Sequence, residues 1–403
     1  MTRRLAGSIA LLVALPVLSV SLMAGTAAAS RGGNVTNYTG IGIDEPLALA
    51  AGPDGALWFT NSGNNSIGQI TTAGVVSNYT DPSIDEPAGI VAGPDGALWF
   101  ANYGNNSIGR ITTAGVITNY TDPSISSPWG IAAGPDGALW FTNHGNNSIG
   151  RITTAGVITN YSATSINKPY GIVAGRGGAL WFTNSGNNSI GRITTEGIVI
   201  NYTAEGLINL PVGITADPHG ALWFTNLGPG SIGRITPGGQ ITDYSDFPFR
   251  DVSSPIWITP GPGGALWFDN SGADSIGRIT AKGVLTFYTG AGMSQPYGIV
   301  AGSDGAVWFD NLGNNSIGRI TTPVTPVIRS FTPRSAAVGA SVTIKGDNLA
   351  GATDVAFNGI RATITSDTAT RVVTAVPAGA TTGDISVTTR VGTATSDEAF
   401  DVT

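Results

Sequence analysis

Hydrophobic residues in this chain fall in short runs broken by polar, glycine-containing turns, and the whole pattern repeats. In residues 128–162, Trp129-Gly130-Ile131-Ala132-Ala133 is a short apolar run. Pro135-Asp136-Gly137 follows, and Asp-Gly favours the primed turns of tight hairpins. Ala138 to Asn143 reads as a second strand carrying Trp140, and His144 to Asn147 as a polar turn. Ser148 to Thr153 is a third strand, Ala155-Gly156 turns the chain again, and Val157 to Tyr161 is a fourth. Four antiparallel strands make one propeller blade. A tract close to Gly-Ala-Leu-Trp-Phe recurs seven times, with tryptophans at 58, 99, 140, 181, 223, 267 and 308. These spacings of 41 to 44 residues are the mark of a β-propeller. One unit cannot bury its own apolar face, so the units ring together.

The ends of the repeat predict how the ring closes. Asn34-Val35-Thr36-Asn37-Tyr38-Thr39 looks like a fourth strand, by comparison with Ile117-Thr118-Asn119-Tyr120-Thr121. The seventh unit has three strands, Tyr297 to Thr321, and no fourth. The amino-terminal strand is therefore expected to complete the last blade and remove an open edge. An open solenoid is the alternative. The composition changes after Thr322. Residues 323–326 read as a linker, and residues 327–403 as a small β-sandwich rich in Val, Thr, Ala and Gly. The expected fold is all-β, a seven-bladed propeller over residues 30–322 followed by an immunoglobulin-like sandwich.

Composition narrows the setting. Arg3 and Arg4, the apolar run Leu5 to Met23 and Ala27-Ala28-Ala29 predict a signal peptide over residues 1–29 and a secreted or cell-surface protein. The 403 residues contain no cysteine, which excludes disulfides, thiolate metal sites and a cysteine nucleophile. Charged residues are 11% of the chain, the net charge is -7, and no Lys/Arg cluster exists. Nucleic acid is therefore not an expected partner. No later segment is apolar over a bilayer-spanning length, so the mature chain is expected to lack a transmembrane anchor. A monomer is expected.

The motifs Pro-x-Gly-Ile, Gly-Pro-Asp-Gly-x-Leu-Trp-Phe-Thr and Ser-Ile-Gly-Arg-Ile-Thr recur in order over most of residues 33–322. In these the chain resembles the virginiamycin B lyases, or streptogramin lyases. The resemblance implies a seven-bladed propeller that opens a cyclic depsipeptide antibiotic by magnesium-dependent elimination. It also implies catalytic histidines after the proline of Pro-x-Gly-Ile in the last two blades, where this sequence has Ile256 and Tyr297. A catalytic glutamate is implied just beyond Trp-Phe in the last blade, where Asp310 and Asn311 stand. An elimination needs a base and an acid, and Ile with Tyr does not supply a histidine pair. The carboxy-terminal segment resembles an IPT/TIG domain through Pro326-Val327-Ile328-Arg329-Ser330-Phe331-Thr332-Pro333 and Gly339 to Leu349.

Candidate sites follow from what repeats and what breaks. Seven asparagines, among them Asn143 and Asn311, sit three residues after the repeat tryptophans. They read either as a polar collar at the channel mouth or as caps of the following loop. The Ile-Gly-Arg-Ile arginines read as blade-to-blade packing or outer-face groups, and the turn aspartates 54, 95, 136 and 304 as hairpin formers on the opposite face. Tyr103, Trp129, His144, Tyr170 and Tyr297 break the repeat near the channel mouth. Aromatic rings flanked by amides suit a small molecule, glycan or peptide with apolar faces and polar edges. Scattered surface aromatics are the plainer reading. Asp269 and Asp310 replace the usual threonine in blades six and seven and are candidates for holding a hard cation such as Mg2+. His219 lies in an opposite-face turn and carries no assigned function. The connection Ser245 to Ser254, with Phe247, Phe249 and Arg250, reads as a lid or a tolerated insertion. Together these predict a non-catalytic binding propeller needing no cofactor. A divergent lyase using His144 with Asp310 or Asp269, and a structural surface protein, are the alternatives.

Overall fold

The structure is a computed structural model that describes residues 30–32, 34–245, 251–321, 326–368, 370–389 and 392–403. Seven sheets follow one another, six with four consecutive antiparallel strands and the seventh with three completed from the amino terminus. Blade three shows the pattern: Pro128–Ala133 innermost, then Leu139–Asn143, Ser148–Ile152 and Ile158–Ser162. These strands match the expected ones to within a residue or two at each end.

The ring closes as the strand count requires. Asn34–Tyr38 pairs antiparallel with Ser316–Thr321, the third strand of blade seven, in register Asn34 to Thr321 and Tyr38 to Ile317. Asn37 there accepts from the Asn311 amide (3.3 Å), as Asn78 does from Asn61 in blade one. Ser30–Gly32 adds a short parallel strand to Leu285–Thr289 of blade six, a pairing the sequence pattern did not predict. The amino-terminal segment thus touches two blades.

Within a blade, the repeat motifs form one rivet. In blade two, Trp99 is fully buried and its Nε1 donates to Asp95 Oδ1 (3.0 Å). Arg110 pairs with Asp95 Oδ2 at 2.7 Å and lies over the Trp99 ring at 5.9 Å, while Tyr120 stacks on that ring at 5.3 Å. The arginine therefore serves its own blade rather than joining two blades. The turn aspartate closes the hairpin and also satisfies a buried indole, whose N–H would be costly to leave unpaired. Gly109 completes the unit: a Cβ there would lie 2.1 Å from the Phe100 ring. Blade four, with Arg176 in that turn, lacks the aspartate, and Trp181 Nε1 is left buried without a partner.

Between blades, two hydrogen bonds recur. An asparagine before the third strand accepts from the backbone ahead of the next blade's proline, as Asn106 does from Ser127 N (2.6 Å) and Asn315 from Glu45 N (3.0 Å). The second-strand threonine donates to the next innermost strand: Thr60 to Ala88 O, Thr142 to Tyr170 O, Thr183 to Val212 O and Thr225 to Ile256 O, at 2.7–2.8 Å. In blade five the first of these positions is Gly230, which has no side chain to make the bond.

Residues 327–402 form two sheets that share one core around Val342, Ile344, Val355, Val372, Ile385 and Phe400. Residues 322–325, most of the expected linker, lie outside the described residues, as do 1–29 and 246–250. No helix among the described residues is long and apolar enough to cross a membrane.

Two predictions follow from these contacts. Deleting residues 34–39 leaves blade seven with an open edge and should lower Tm by about 5 °C or more in a thermal melt. An unchanged Tm would show that the clasp does not hold the ring. The second concerns Asp243, which stands where blade three has Asn160 and takes hydrogen bonds from Ser231 Oγ (2.6 Å) and Asn226 Nδ2 (3.0 Å). Burial pushes its carboxyl up to about 6, against the Ser231 and Asn226 hydrogen bonds. The folded state therefore holds the proton more tightly than the unfolded one. Stability is full below about pH 4 and falls as pH rises towards about 6. Asp243→Asn should be more stable than the wild type by roughly 1–3 kcal/mol at pH 8, and the two should converge near pH 4, as read by urea unfolding at both pH values. A constant difference across pH would contradict this.

Candidate functional site

The innermost strands run from a proline at one face of the ring towards the hairpin turns at the other. Register pairs each proline with the asparagine ending the second strand, Pro128 with Asn143 in blade three. The residue after the proline therefore sits at the mouth of the central channel. An axial cavity of about 240 Å³ runs below, with an aliphatic side chain from every blade, from Leu49 in blade one to Ile299 in blade seven.

Five of the repeat-breaking side chains meet at this mouth. Trp129 and Tyr170 lie with ring centroids 4.7 Å apart, and Tyr103 meets Trp129 edge-on at 5.2 Å. His144 meets the Tyr170 ring edge-on at 5.9 Å, with Nδ1 3.4 Å from Pro169 O. Across the channel, the Tyr170 and Tyr297 hydroxyls are 3.1 Å apart. Blades four and seven are three units apart in sequence, so this bond forms only because the ring closes. All five side chains are half-buried.

A sixth ring, missed by the sequence reading, completes the group. Trp257 lines the cavity and lies 6.2 Å from Tyr170. It occupies the glycine position of Pro-x-Gly-Ile, and that broken motif was the available signal.

The asparagines do not join the cluster. Asn143 and Asn311 are fully buried. Asn143 Oδ1 accepts from Ser126 N (3.0 Å), and its amide donates to Ser148 Oγ and Asn160 Oδ1 (both 3.1 Å). Asn311 accepts from Ser294 N and donates to Ser316 and Asn37. Their polar atoms hold the loop against its own blade and face no ligand. His219 lies in the turn of the opposite face, its backbone N–H donating to Asp217 Oδ1 (2.8 Å).

Asp269 and Asp310 lie fully buried beneath the mouth. Asp269 accepts from Ile256 N (2.7 Å) and Trp257 N (2.8 Å). Asp310 Oδ1 accepts from Gly298 N (2.7 Å), while its Oδ2 has no partner. A Cβ on Gly298 would lie 2.4 Å from that Oδ2 and 3.0 Å from the Leu47 carbonyl, so both flank the same spot. Burial pushes Asp269 and Asp310 well above the usual carboxylate range. Burial also raises the phenols of Tyr170 and Tyr297 and lowers His144. Burial thus disfavours the charged form of each of these groups at and beneath the mouth.

Comparison with known proteins fits this architecture. The model of the virginiamycin B lyase family matches residues 35–251 and 245–386. The chain belongs to that family. A streptogramin B lyase structure is 34% identical, with a TM-score of 0.67 over 71% of this chain and 97% of that one. Virginiamycin B lyase from Staphylococcus aureus is 35% identical, with a TM-score of 0.66 over 72% of this chain and 98% of that one. A catalytically inactive histidine-to-alanine variant of that enzyme, solved with quinupristin, matches equally at 35% identity and 0.66, over 72% and 99%. No curated protein matched the chain.

In this virginiamycin B lyase family member, Ile256 and Tyr297 stand at the channel mouth where the resemblance implies histidines. The magnesium it implies does not fit the residues present. The two buried aspartates direct their bonded oxygens at backbone N–H groups, and the described residues hold no cluster of three or more His, Asp or Glu suited to a metal.

Proposed function

We propose that this family member is a secreted binding propeller that holds its ligand on the channel-mouth face and does not perform the lyase reaction. The supporting observation is the continuous aromatic surface of Tyr103, Trp129, Tyr170, Trp257 and Tyr297, edged by His144 and joined across the axis by the 3.1 Å hydroxyl pair. Such a surface suits a small molecule, glycan or peptide with flat apolar faces and polar edges. The histidine pair that the family resemblance implies is absent: Ile256 and Tyr297 stand at those positions, and the one histidine at the mouth, His144, turns its Nδ1 to Pro169 O (3.4 Å) and its ring edge to Tyr170. The carboxyls below are buried and bonded to backbone. The carboxy-terminal sandwich, read as an IPT/TIG domain, would serve as a spacer or surface module.

Quinupristin, the compound seen with the S. aureus relative, is the first probe. Incubated with the mature protein and magnesium, it should remain cyclic above background by mass spectrometry. A linear elimination product at enzyme-like turnover would overturn the non-catalytic reading. In tryptophan-fluorescence titrations against quinupristin and a panel of glycans and cyclic peptides, Trp129→Ala should weaken any bound probe by about 1–3 kcal/mol. His219→Ala, on the opposite face, should leave binding unchanged. Equal loss in both variants, each shown to melt near the wild-type temperature, would place the site elsewhere.

A further inference from the structure

Trp257 is anomalous in packing as well as in identity. In the other blades with glycine at this position, no side chain fits. A Cβ on Gly89, Gly130, Gly171 or Gly213 would lie 2.4–2.6 Å from the carbonyl oxygen of the next blade's innermost strand. In blades three, four and five a threonine ties this approach, although blade two, with Ala101 in its place, keeps the same spacing at Gly89. Thr142 Oγ1 accepts from Gly130 N (2.9 Å) and donates to Tyr170 O of the next blade (2.8 Å), so one hydroxyl ties the glycine to its neighbour. Thr183 and Thr225 do the same through Gly171 and Gly213. A tryptophan cannot stand where that tie holds the backbones together.

Blade six changes both partners. Where Thr142 grips one N–H and one carbonyl, Asp269 grips two N–H groups of its own blade, Ile256 N (2.7 Å) and Trp257 N (2.8 Å). A carboxyl offers two acceptor oxygens on a longer stem, so each N–H meets its own oxygen, and the carboxylate has no proton left for the next blade's carbonyl. Blade one gives the contrasting case. Ala48 has a Cβ at the same position, and Thr60 there bonds Ala88 O, with no bond to Ala48 N seen. A side chain at this position thus coincides with a threonine that no longer holds the N–H, whereas Asp269 holds two.

We propose that Asp269 is the positioning residue that anchors the blade-six strand in the geometry where Trp257 projects into the channel and completes the aromatic wall. Blade seven carries the matching aspartate, Asp310, with Gly298 retained, so the aspartate permits the tryptophan and does not require it. The contribution of Trp257 to ligand binding rests on the binding reading above, but the dependence of Trp257 on Asp269 does not.

The test restores the repeat one residue at a time in the full chain: Asp269→Thr, Trp257→Gly and the double variant. Asp269→Thr alone should lower Tm by about 3–6 °C and change the near-UV circular dichroism of the aromatic cluster. Adding Trp257→Gly should recover at least half of the lost Tm, because the Thr–Gly pair is the one blades three, four and five use. If Asp269→Thr does not fold, Asp269→Asn, which puts a donor against one backbone N–H, provides the single variant, and Trp257→Gly should likewise recover its loss. Additive effects of the two substitutions, or an unchanged near-UV spectrum in the aspartate variants, would overturn the proposal. Strong coupling together with unchanged probe binding in Trp257→Ala would instead leave the positioning role standing and count against the binding reading.

Discussion

The close approach of the innermost strands is the constraint from which the rest of the molecule follows. Seven strands crowd the axis, and glycine is needed where a Cβ would come within about 2.6 Å of the neighbouring backbone. The Thr60, Thr142, Thr183 and Thr225 hydroxyls bridge adjacent blades at this radius, and an Asn or Asp before the third strand of every blade but the fifth repeats the tie further out. Without disulfides, these ties and the buried tryptophan rivets hold the ring, with the amino-terminal strand filling its last edge.

That constraint also decides where asymmetry can appear. Positions inside a blade are fixed by the rivet: Trp99 needs Asp95 for its N–H, and Phe100 needs Gly109 beneath its ring. The residue after each proline takes no part in the rivet, and Trp129, Tyr170 and Tyr297 at this position reach the half-open mouth. Seven such positions surround one small opening, so two or three large rings suffice to cover it. Trp129, Tyr170 and Tyr297 are those rings, and ring closure brings blades four and seven within a hydrogen bond of each other. Trp257 intrudes from a position that is fixed elsewhere, and blade six differs beneath it at Asp269.

Much of this was legible in the sequence, because repetition multiplies a weak strand signal sevenfold. The blade boundaries, the clasp and the grouping of Tyr103, Trp129, His144 and Tyr170 all follow from comparing units. Roles set by partners in space were less legible. The asparagines looked equally suited to a collar or a cap until Asn143 was seen buried with its amide used inside the blade. The arginines gave no hint that they lie over their own tryptophans. Trp257 was hidden because its meaning depends on the absent glycine, and Asp269 because its partners are backbone atoms, which sequence comparison does not weigh.

The central claim is that the repeated residues build the fold and the mouth aromatics serve a ligand. It is tested most directly by comparing the thermal unfolding of two variants. One carries Tyr103→Ser, Trp129→Ala, His144→Ser, Tyr170→Ala and Tyr297→Ala together, which removes half-buried rings from an open face. The other carries Trp140→Ala alone, which empties a fully enclosed site in the rivet of blade three. A cavity in a closed core costs about 3–5 kcal/mol for a tryptophan, whereas rings at an open mouth leave no sealed void. The account predicts that the single core substitution lowers Tm more than the five mouth substitutions combined. A larger loss from the five would show that the aromatic cluster is a structural plug and would contradict the claim.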